Sequence, residues 1–335
     1  MTVKWYPQSL KKCLGNMGKN VLVIGANGML GTAFREIVGD EYCYAVRKFN
    51  ETHTLTDLVL GDISNFSFEQ YRDVLSEFDV IINCAAITDV DGIETDVNIA
   101  KNAWDANVTG PKRLADICRE IGATLIHFSS DYVFDGAIGR EYYPCDYKNP
   151  VNLYGAQKKS AEKAIIESGC NYLIFRISWL FSEFTPNFVT NIVDKVRDGE
   201  NFIMTNNIIS SPTYARELVQ AIKHIIDKNL ENNVGIYHFT NEGCCTRYDM
   251  VEHICQRFKK GNYVHGVPDS YWGSSVKRPF CSVMSKQSFK TTFGYHMEHW
   301  QRALDKCIDR YLDIIINENS TEKPNTQLDF DTTNS

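Results

Sequence analysis

The 335-residue chain lacks the features that mark several specialised classes of protein. No apolar run approaches the roughly 20 residues that a helix needs to span a bilayer, and residues 1–20 contain no apolar signal core. Basic residues are outnumbered, 35 against 42 acidic ones, and the net charge of −7 argues against general nucleic-acid binding. We therefore expect a globular, cytoplasmic protein with no nucleic-acid or membrane partner.

The cysteines and histidines show no metal-binding or disulfide pattern. The eleven cysteines are odd in number, scattered and without C-x-x-C spacing, and the eight histidines form no H-x-x-x-H pair. Scattered thiols are typical of reduced cytoplasmic proteins. We predict no catalytic metal and no disulfide framework.

A glycine-rich segment follows the first predicted strand. The apolar run NVLVI (Asn20–Ile24) leads directly into GANGMLG (Gly25–Gly31), with the spacing G-x-x-G-x-x-G at a strand-to-helix turn. Glycines there let the backbone approach a pyrophosphate, whose charge is stabilised at the N-terminus of the next helix. The pattern predicts a dinucleotide site formed by Gly25, Asn27, Gly28, Met29, Leu30 and Gly31.

The ends of the next strands indicate which dinucleotide binds. The second strand ends at Val46 and is followed by Arg47 and Lys48, with no acid to hold a ribose 2′-hydroxyl. Two cations suit a 2′-phosphate, so we predict NADPH, with NADH possible. Further cofactor contacts are predicted from residues that follow the third strand or end the fourth: Asp62, Ile63, Cys84, Ala85 and Ala86.

Tyr154 and Lys158 form a Y-x-x-x-K pattern in a predicted helix over 152–168. Side chains at i and i+4 share one helix face, so the phenol and the ammonium can address one small volume. A nearby cation is expected to lower the pKa of the tyrosine, which is about 10 when free. Ser130 ends a predicted buried strand and offers a hydroxyl at the same place. The three residues are typical of a device that moves a proton on or off a carbonyl oxygen.

The order of elements predicts the architecture. Strands are predicted at 20–25, 42–47, 58–61, 79–85, 124–130 and 171–177, and helices at 29–38, 67–76, 98–121 and 152–168. This alternation predicts an α/β fold, a Rossmann-type doubly wound parallel sheet, with a smaller C-terminal substrate-binding region. The expected divisions are an N-terminal extension (1–18), a dinucleotide-binding domain (19–178), a mixed region with a substrate-binding lobe and elements returning to the sheet (179–316) and a disordered tail (317–335).

Several longer motifs resemble one family of enzymes. They are VIGANGMLG (23–31), NCAAITDVDGIE (83–94), HFSSDYVFDG (127–136), PVNLYGAQK (150–158), RISWLF (176–181), SPTYA (211–215) and RPFCS (278–282). On these stretches the chain resembles the extended short-chain dehydrogenases/reductases, and among them the dTDP-4-dehydrorhamnose reductases.

The resemblance implies a function and assigns residues to it. It implies reduction of the 4-keto group of a nucleotide-linked 4-keto-6-deoxysugar, a step in deoxysugar biosynthesis, with Ser130, Tyr154 and Lys158 as the catalytic triad. Tyr154 and Lys158 would also hold the cofactor. Members of the family often carry Thr where this chain has Ser130, but both supply a hydroxyl. The implied substrate-binding residues are Thr88, Val90, Ser130, Asp131, Trp179 and Arg278.

Three other functions remain open at this stage. Sugar-nucleotide dehydratases share the scaffold but carry an Asp-Glu pair after the catalytic hydroxyl, whereas Asp131 and Tyr132 follow Ser130 here. An epimerase would use the same cofactor without consuming it. The regulatory subunit of methionine adenosyltransferase resembles the same family without being an enzyme, but it lacks the tryptophan that is present here as Trp179. A homodimer is also possible.

Overall fold

The computed structural model describes residues 18–48, 57–274 and 276–321. Apart from Gly18, the predicted N-terminal extension lies outside these residues. The strands, numbered in chain order, are β1 (Val21–Ile24), β2 (Cys43–Val46), β3 (Leu58–Val59), β4 (Val80–Asn83), β5 (Thr124–Ser130), β6 (Asn171–Ile177), β7 (Leu180–Phe181), β8 (Phe202–Thr205), β9 (Thr213–Tyr214), β10 (Gly235–His238) and β11 (Val264–Val267).

The α-helices of the same residues lie between these strands or follow them. They are α1 (Met29–Val38), α2 (Phe68–Leu75), α3 (Val90–Thr95), α4 (Val97–Trp104), α5 (Gly110–Ile121), α6 (Leu153–Ser168), α7 (Phe188–Arg197), α8 (Ala215–Asp227), α9 (Arg247–Phe258), α10 (Gln287–Phe293) and α11 (Trp300–Thr321). None of the described helices combines the length and the apolar character needed to cross a membrane.

The central sheet has seven strands in the order β10-β6-β5-β4-β1-β2-β3, and each neighbouring pair is parallel. The order 3-2-1-4-5-6 of the first six strands is that of the dinucleotide-binding fold, and ligands bind where the order reverses, between β1 and β4. The predicted Rossmann-type fold is confirmed.

Apolar side chains on both faces hold the sheet between two layers of helices. In β1, Val21 and Val23 point into one cluster, whereas Leu22 and Ile24 point into the other. This alternation is the two-residue period of a strand, and both sets are apolar because both faces are covered. Helices α1 and α8 share the first cluster, and α5 belongs to the second.

The C-terminal region is divided between the sheet and a separate lobe. Strand β10 returns to the sheet and pairs with β6. The remaining short strands form two small parallel pairs, β8 with β11 and β7 with β9. A third apolar cluster joins α7, α9 and α11. This lobe therefore has its own core, although the boundary at 178/179 stays a prediction.

Two predicted elements differ from the structure. The helix expected over 98–121 is interrupted by a π-helical turn, Asp105–Thr109, between α4 and α5. Helix α11 continues to Thr321, so residues 317–321 are helical and their assignment to a disordered tail was wrong. A formed helix extends at little cost per residue even where its side chains are polar. Residues 322–335 lie outside the described residues.

Candidate active site

The glycine turn brings β1, α1 and β4 into close contact. Gly25 has φ +80°, and a Cβ there would lie 2.6 Å from the backbone nitrogen of Ala85. A Cβ on Gly31 would lie 2.3 Å from the carbonyl oxygen of Gly25, so Gly31 serves the packing of the turn on its helix. Gly28 precedes α1 without a side-chain cap. The turn is thus suited to place a phosphate on the backbone N–H groups of α1.

A cavity of about 540 Å³ lies in front of this turn, at the reversal of strand order. We call it the cofactor cavity. Of the residues predicted to bind the cofactor, those in its wall are Gly25, Asn27, Gly28, Arg47, Asp62, Ile63, Cys84, Ala85 and Ala86. Gly31 and Lys48 do not line it. The second strand therefore presents one cation, Arg47, to this cavity and not two.

The second cavity, of about 470 Å³, contains the predicted chemistry, and we call it the reaction cavity. It shares Gly28, Cys84, Ala85 and Ala86 with the cofactor cavity, so the two are neighbours. Its wall brings together the other predicted residues Met29, Leu30, Thr88, Val90, Ser130, Asp131, Tyr154, Lys158 and Trp179.

The start of α6 fixes Tyr154 and Lys158. Asn152 caps this helix, because its Oδ1 accepts a hydrogen bond from the Gly155 N–H at 2.9 Å. One turn later, the Lys158 Nζ donates to the carbonyl oxygen of Phe128 at 3.1 Å and lies 5.8 Å from the centre of the Tyr154 ring. The last residues of β5 and the first turn of α6 therefore meet at one point.

The pKa of Tyr154 is raised, so the expected lowering of this pKa beside Lys158 was wrong. Burial raises the pKa of Tyr154 above its usual value of 10.0, the charge of Asp131 raises it further, and the Ser130 hydroxyl opposes them. Burial also lowers the pKa of Lys158 from 10.5 to about 8. Burial is the largest cause of both pKa shifts, so Tyr154 is held as a neutral phenol.

Asp131 is enclosed by serine hydroxyls that come from distant parts of the chain. Its Oδ1 accepts a hydrogen bond from Ser130 at 3.0 Å, and its Oδ2 accepts from Ser178 at 2.8 Å, Ser210 at 3.2 Å and Ser282 at 2.5 Å. Asp131 is only 1% exposed. This arrangement ties the end of β5 to the C-terminal region and orients the Ser130 hydroxyl, whereas direct contact of Asp131 with substrate stays a prediction.

Trp179 lies at the boundary of the reaction cavity with a third cavity of about 440 Å³, the outer cavity. Its φ of +43° is in the left-handed region, which costs a large side chain roughly 1–3 kcal/mol. Such strain persists only where the surroundings enforce it, here between β6 and β7. The other outer-cavity residues include Asp91, Tyr132, Arg247, Trp272 and Arg278.

Arg278, a predicted substrate-binding residue, lines the outer cavity but not the reaction cavity. Its Nη2 donates to both carboxylate oxygens of Asp91, at 2.8 and 2.7 Å. The Asp91 side chain is 60% exposed. An ion pair with so exposed a partner contributes little to stability and can be exchanged for a ligand.

Two residues of this site were missed by the sequence reasoning. Asn107, in the π-helical turn, accepts from the Ile87 N–H at 2.9 Å and donates to the Ile87 carbonyl at 2.8 Å and to Gln157 at 2.9 Å. It thereby holds the loop that carries Thr88. The hydrophobic periodicity of the sequence does not indicate that a π-helical turn interrupts the helix here, so nothing pointed to Asn107. The other residue is Arg247, which lines both the reaction cavity and the outer cavity.

Comparison with known proteins fits this geometry. The family described as RmlD substrate binding domain matches residues 19–313. The chain belongs to this family. The match covers the glycine turn, the Tyr154 helix and the Arg278 loop, so it includes all three cavities.

Curated relatives and a solved structure match this chain over most of its length and of their own. The dTDP-4-dehydrorhamnose reductase of Aggregatibacter actinomycetemcomitans is 29% identical over 296 residues, which is 85% of this chain and 96% of the relative. That of Escherichia coli strain K12 is 28% identical over 87% of this chain and 97% of its own. A crystal structure of the Bacillus anthracis dTDP-4-dehydrorhamnose reductase in complex with NADP has a TM-score of 0.77 and 28% identity, covering 88% of this chain and 100% of that one.

Proposed function

We propose that this protein is an NADPH-dependent oxidoreductase that reduces the 4-keto group of a nucleotide-linked 4-keto-6-deoxysugar. The observation that carries the proposal is that Ser130, Tyr154 and Lys158 meet in a cavity adjoining the one at the glycine turn. Membership of the RmlD family and the relatives named dTDP-4-dehydrorhamnose reductase support a deoxysugar nucleotide as substrate.

The residues of the cofactor cavity fit NADPH, with both its pyrophosphate and its 2′-phosphate. The missing side chains of Gly25 and Gly28 leave the turn open, and the first N–H groups of α1 are available to a pyrophosphate. Arg47 offers a guanidinium to a 2′-phosphate, and Asp62 an acceptor at the adenine end. When bound, NADPH supplies the hydride for the reduction.

Side chains of this protein supply the proton that the reduced C4 oxygen needs. Because burial keeps the pKa of Tyr154 high, the phenol retains its proton until an alkoxide forms at the substrate's C4 oxygen and then donates it. The Ser130 hydroxyl has a single hydrogen, which it donates to Asp131 in this structure, and it turns to donate that hydrogen to the same oxygen when the substrate binds. Lys158 supplies positive charge that stabilises the phenolate left behind. General acid catalysis of this kind contributes about 10²- to 10⁴-fold.

The remaining predicted residues bind the substrate. Thr88, Val90 and Trp179 border the sugar in the reaction cavity, and Arg278 leaves Asp91 to bind a phosphate oxygen in the outer cavity. A guanidinium can bind phosphate with two parallel hydrogen bonds. These assignments, the homodimer and the cytoplasmic location all stay predictions.

The test is a stopped assay of the purified protein with NADPH and dTDP-4-dehydrorhamnose. We expect one NADPH consumed per sugar reduced, and none consumed with dTDP-glucose, which has no keto group. Conversion of the ketosugar to an isomer without loss of NADPH would identify an epimerase instead. The absence of any reaction, together with retained NADPH binding, would favour a non-catalytic subunit.

A further inference from the structure

Arg247 is held by aromatic rings instead of a carboxylate. Its guanidinium carbon lies 4.2 Å from the centre of the Trp179 ring and 4.1 Å from the centre of the Phe188 ring. Its Nη1 also approaches the Met250 sulfur at 3.9 Å. No carboxylate of the described residues forms an ion pair with it. By contrast, Arg35, Arg176 and Arg216 are each paired with an acid.

The position of Arg247 is unfavourable for a cation in the absence of a ligand. It is the first residue of α9, where the positive end of the helix dipole opposes a positive side chain. Burial lowers its pKa from 12.5 to about 10. The two flat rings hold the guanidinium in place but leave its N–H donors without strong acceptors. A bound anion would satisfy these donors and offset both costs.

The cavities indicate which part of the substrate meets this cation. Arg247 lines both the reaction cavity and the outer cavity, whereas Arg278 lines only the outer one. In a nucleotide sugar whose C4 oxygen lies at Tyr154, the phosphate attached to the sugar comes next, followed by the phosphate attached to the nucleoside. The order of the two arginines along the cavities matches the order of the two phosphates.

We propose that Arg247 binds the sugar-proximal phosphate of the substrate, while Arg278 binds the nucleoside-proximal one. This inference rests on the proposed function, because it takes the ligand to be a nucleoside diphosphate sugar. Arg247 is already placed by Trp179 and Phe188, whereas Arg278 has to exchange Asp91 for the ligand. Arg247 is therefore the fixed contact that sets the distance between the diphosphate and the reacting carbonyl.

The experiment compares the binding of dTDP and dTMP by calorimetry at saturating NADPH. Arg247→Met keeps an apolar stem between the two rings and removes the charge. We expect it to weaken dTDP binding by about tenfold or more, the effect of one lost charged hydrogen bond, and to change dTMP binding little because dTMP lacks the second phosphate. Arg278→Met should weaken both ligands. Arg247→Lys keeps the charge without the planar fork and should recover part of the dTDP affinity.

Arg257→Met is the matched control, since it removes a positive charge from the same helix, where Arg257 pairs with Asp305 and Asp309. Retained dTDP affinity in Arg247→Met, or an equal loss in Arg257→Met, would overturn the role of Arg247. Equal losses for dTDP and dTMP in Arg247→Met would overturn the order of the phosphates. If the wild type bound NADPH but no dTDP, the inference would fail together with the proposed substrate, whereas the first three outcomes leave the proposed reduction intact.

Discussion

The reaction cavity and the outer cavity differ in how their polar groups are held. In the reaction cavity, Ser130 and Lys158 are bound to internal partners, and Asp131 has four serine donors. In the outer cavity, Arg278 has an exposed acid as its partner, and Arg247, which lines both cavities, lies between aromatic rings. The first arrangement is fixed before substrate arrives, as catalysis requires. In the second arrangement, hydrogen-bond donors remain available to a ligand. Changes in the reaction cavity should therefore affect mainly kcat, and changes in the outer cavity mainly KM.

The largest effect is expected at Tyr154. Replacing Tyr154 by Phe removes the proton donor but keeps the ring that packs edge-on against Tyr132 at 5.8 Å. We expect kcat to fall by about 10²- to 10⁴-fold, while the Kd for NADPH stays near that of the wild type. Steady-state kinetics and a fluorescence titration of NADPH would measure the two quantities.

Tyr132→Phe is the control for this change, because Tyr132 lies beside Tyr154 and also lines the outer cavity. It should alter KM more than kcat. A Tyr154→Phe enzyme with nearly normal kcat would remove the proposed acid and, with it, the distinction between the two cavities.

The next effect concerns the cofactor cavity. Arg47→Ala should weaken NADPH binding by roughly 10- to 100-fold, as expected for a lost guanidinium–phosphate contact, and leave NADH binding unchanged. Lys48→Ala, the neighbouring exposed cation outside the cavity, is the control and should have a small effect on either cofactor. Equal losses of NADPH and NADH affinity in Arg47→Ala would show that Arg47 does not recognise the 2′-phosphate.

In the outer cavity, Arg278→Ala should raise the KM for the nucleotide sugar by about tenfold, with little change in kcat or in NADPH affinity. The adjacent exposed Lys277 provides a control, and Lys277→Ala should leave KM within about twofold because surface charges contribute little. A KM that does not change in Arg278→Ala, measured at low salt, would exclude a phosphate contact.

The last effect concerns the stability of the fold. The pKa of Lys158 falls from 10.5 to about 8 on folding, so between these values the unfolded chain binds more protons than the folded one and the wild type gains stability as pH rises. Relative to Lys158→Met, which has no proton to lose, this gain should be on the order of 1–3 kcal/mol. Urea unfolding of both proteins across this pH window would measure it, and a constant difference between them would contradict the buried charge.

The dinucleotide-binding half was predictable because its strands and helices have a regular hydrophobic pattern in the sequence and its phosphate-binding turn has regularly spaced glycines. The alternation of buried strands and helices placed β1 to β6 and the glycine turn close to their observed positions. Arg47 could be assigned to the cofactor cavity because it directly follows a strand end. The sequence could not show that Lys48 lies outside the cofactor cavity. Side chains of consecutive residues after a strand point in different directions, and each direction depends on the loop that follows.

The substrate half was less predictable because its contacts join residues far apart in the chain. Ser210 and Ser282 meet at Asp131 from separate loops, and nothing local marks either as its partner. Arg247 looked like an ordinary helix residue until the packing of Trp179 and Phe188 around it was known. The raised pKa of Tyr154 was also missed, since burial depends on the whole fold while the i+4 lysine is visible in the sequence.

The most direct test of the central claim follows the hydrogen itself. The purified protein would be incubated with dTDP-4-dehydrorhamnose and NADPH carrying deuterium at the transferable position, and the product sugar would be examined by NMR. The account predicts one deuterium at C4 of the sugar, with the rate of transfer lowered by about 10²- to 10⁴-fold in Tyr154→Phe. A product with deuterium at another carbon, or an isomerised ketosugar without deuterium, would contradict the assignment of this site as a C4 ketoreductase.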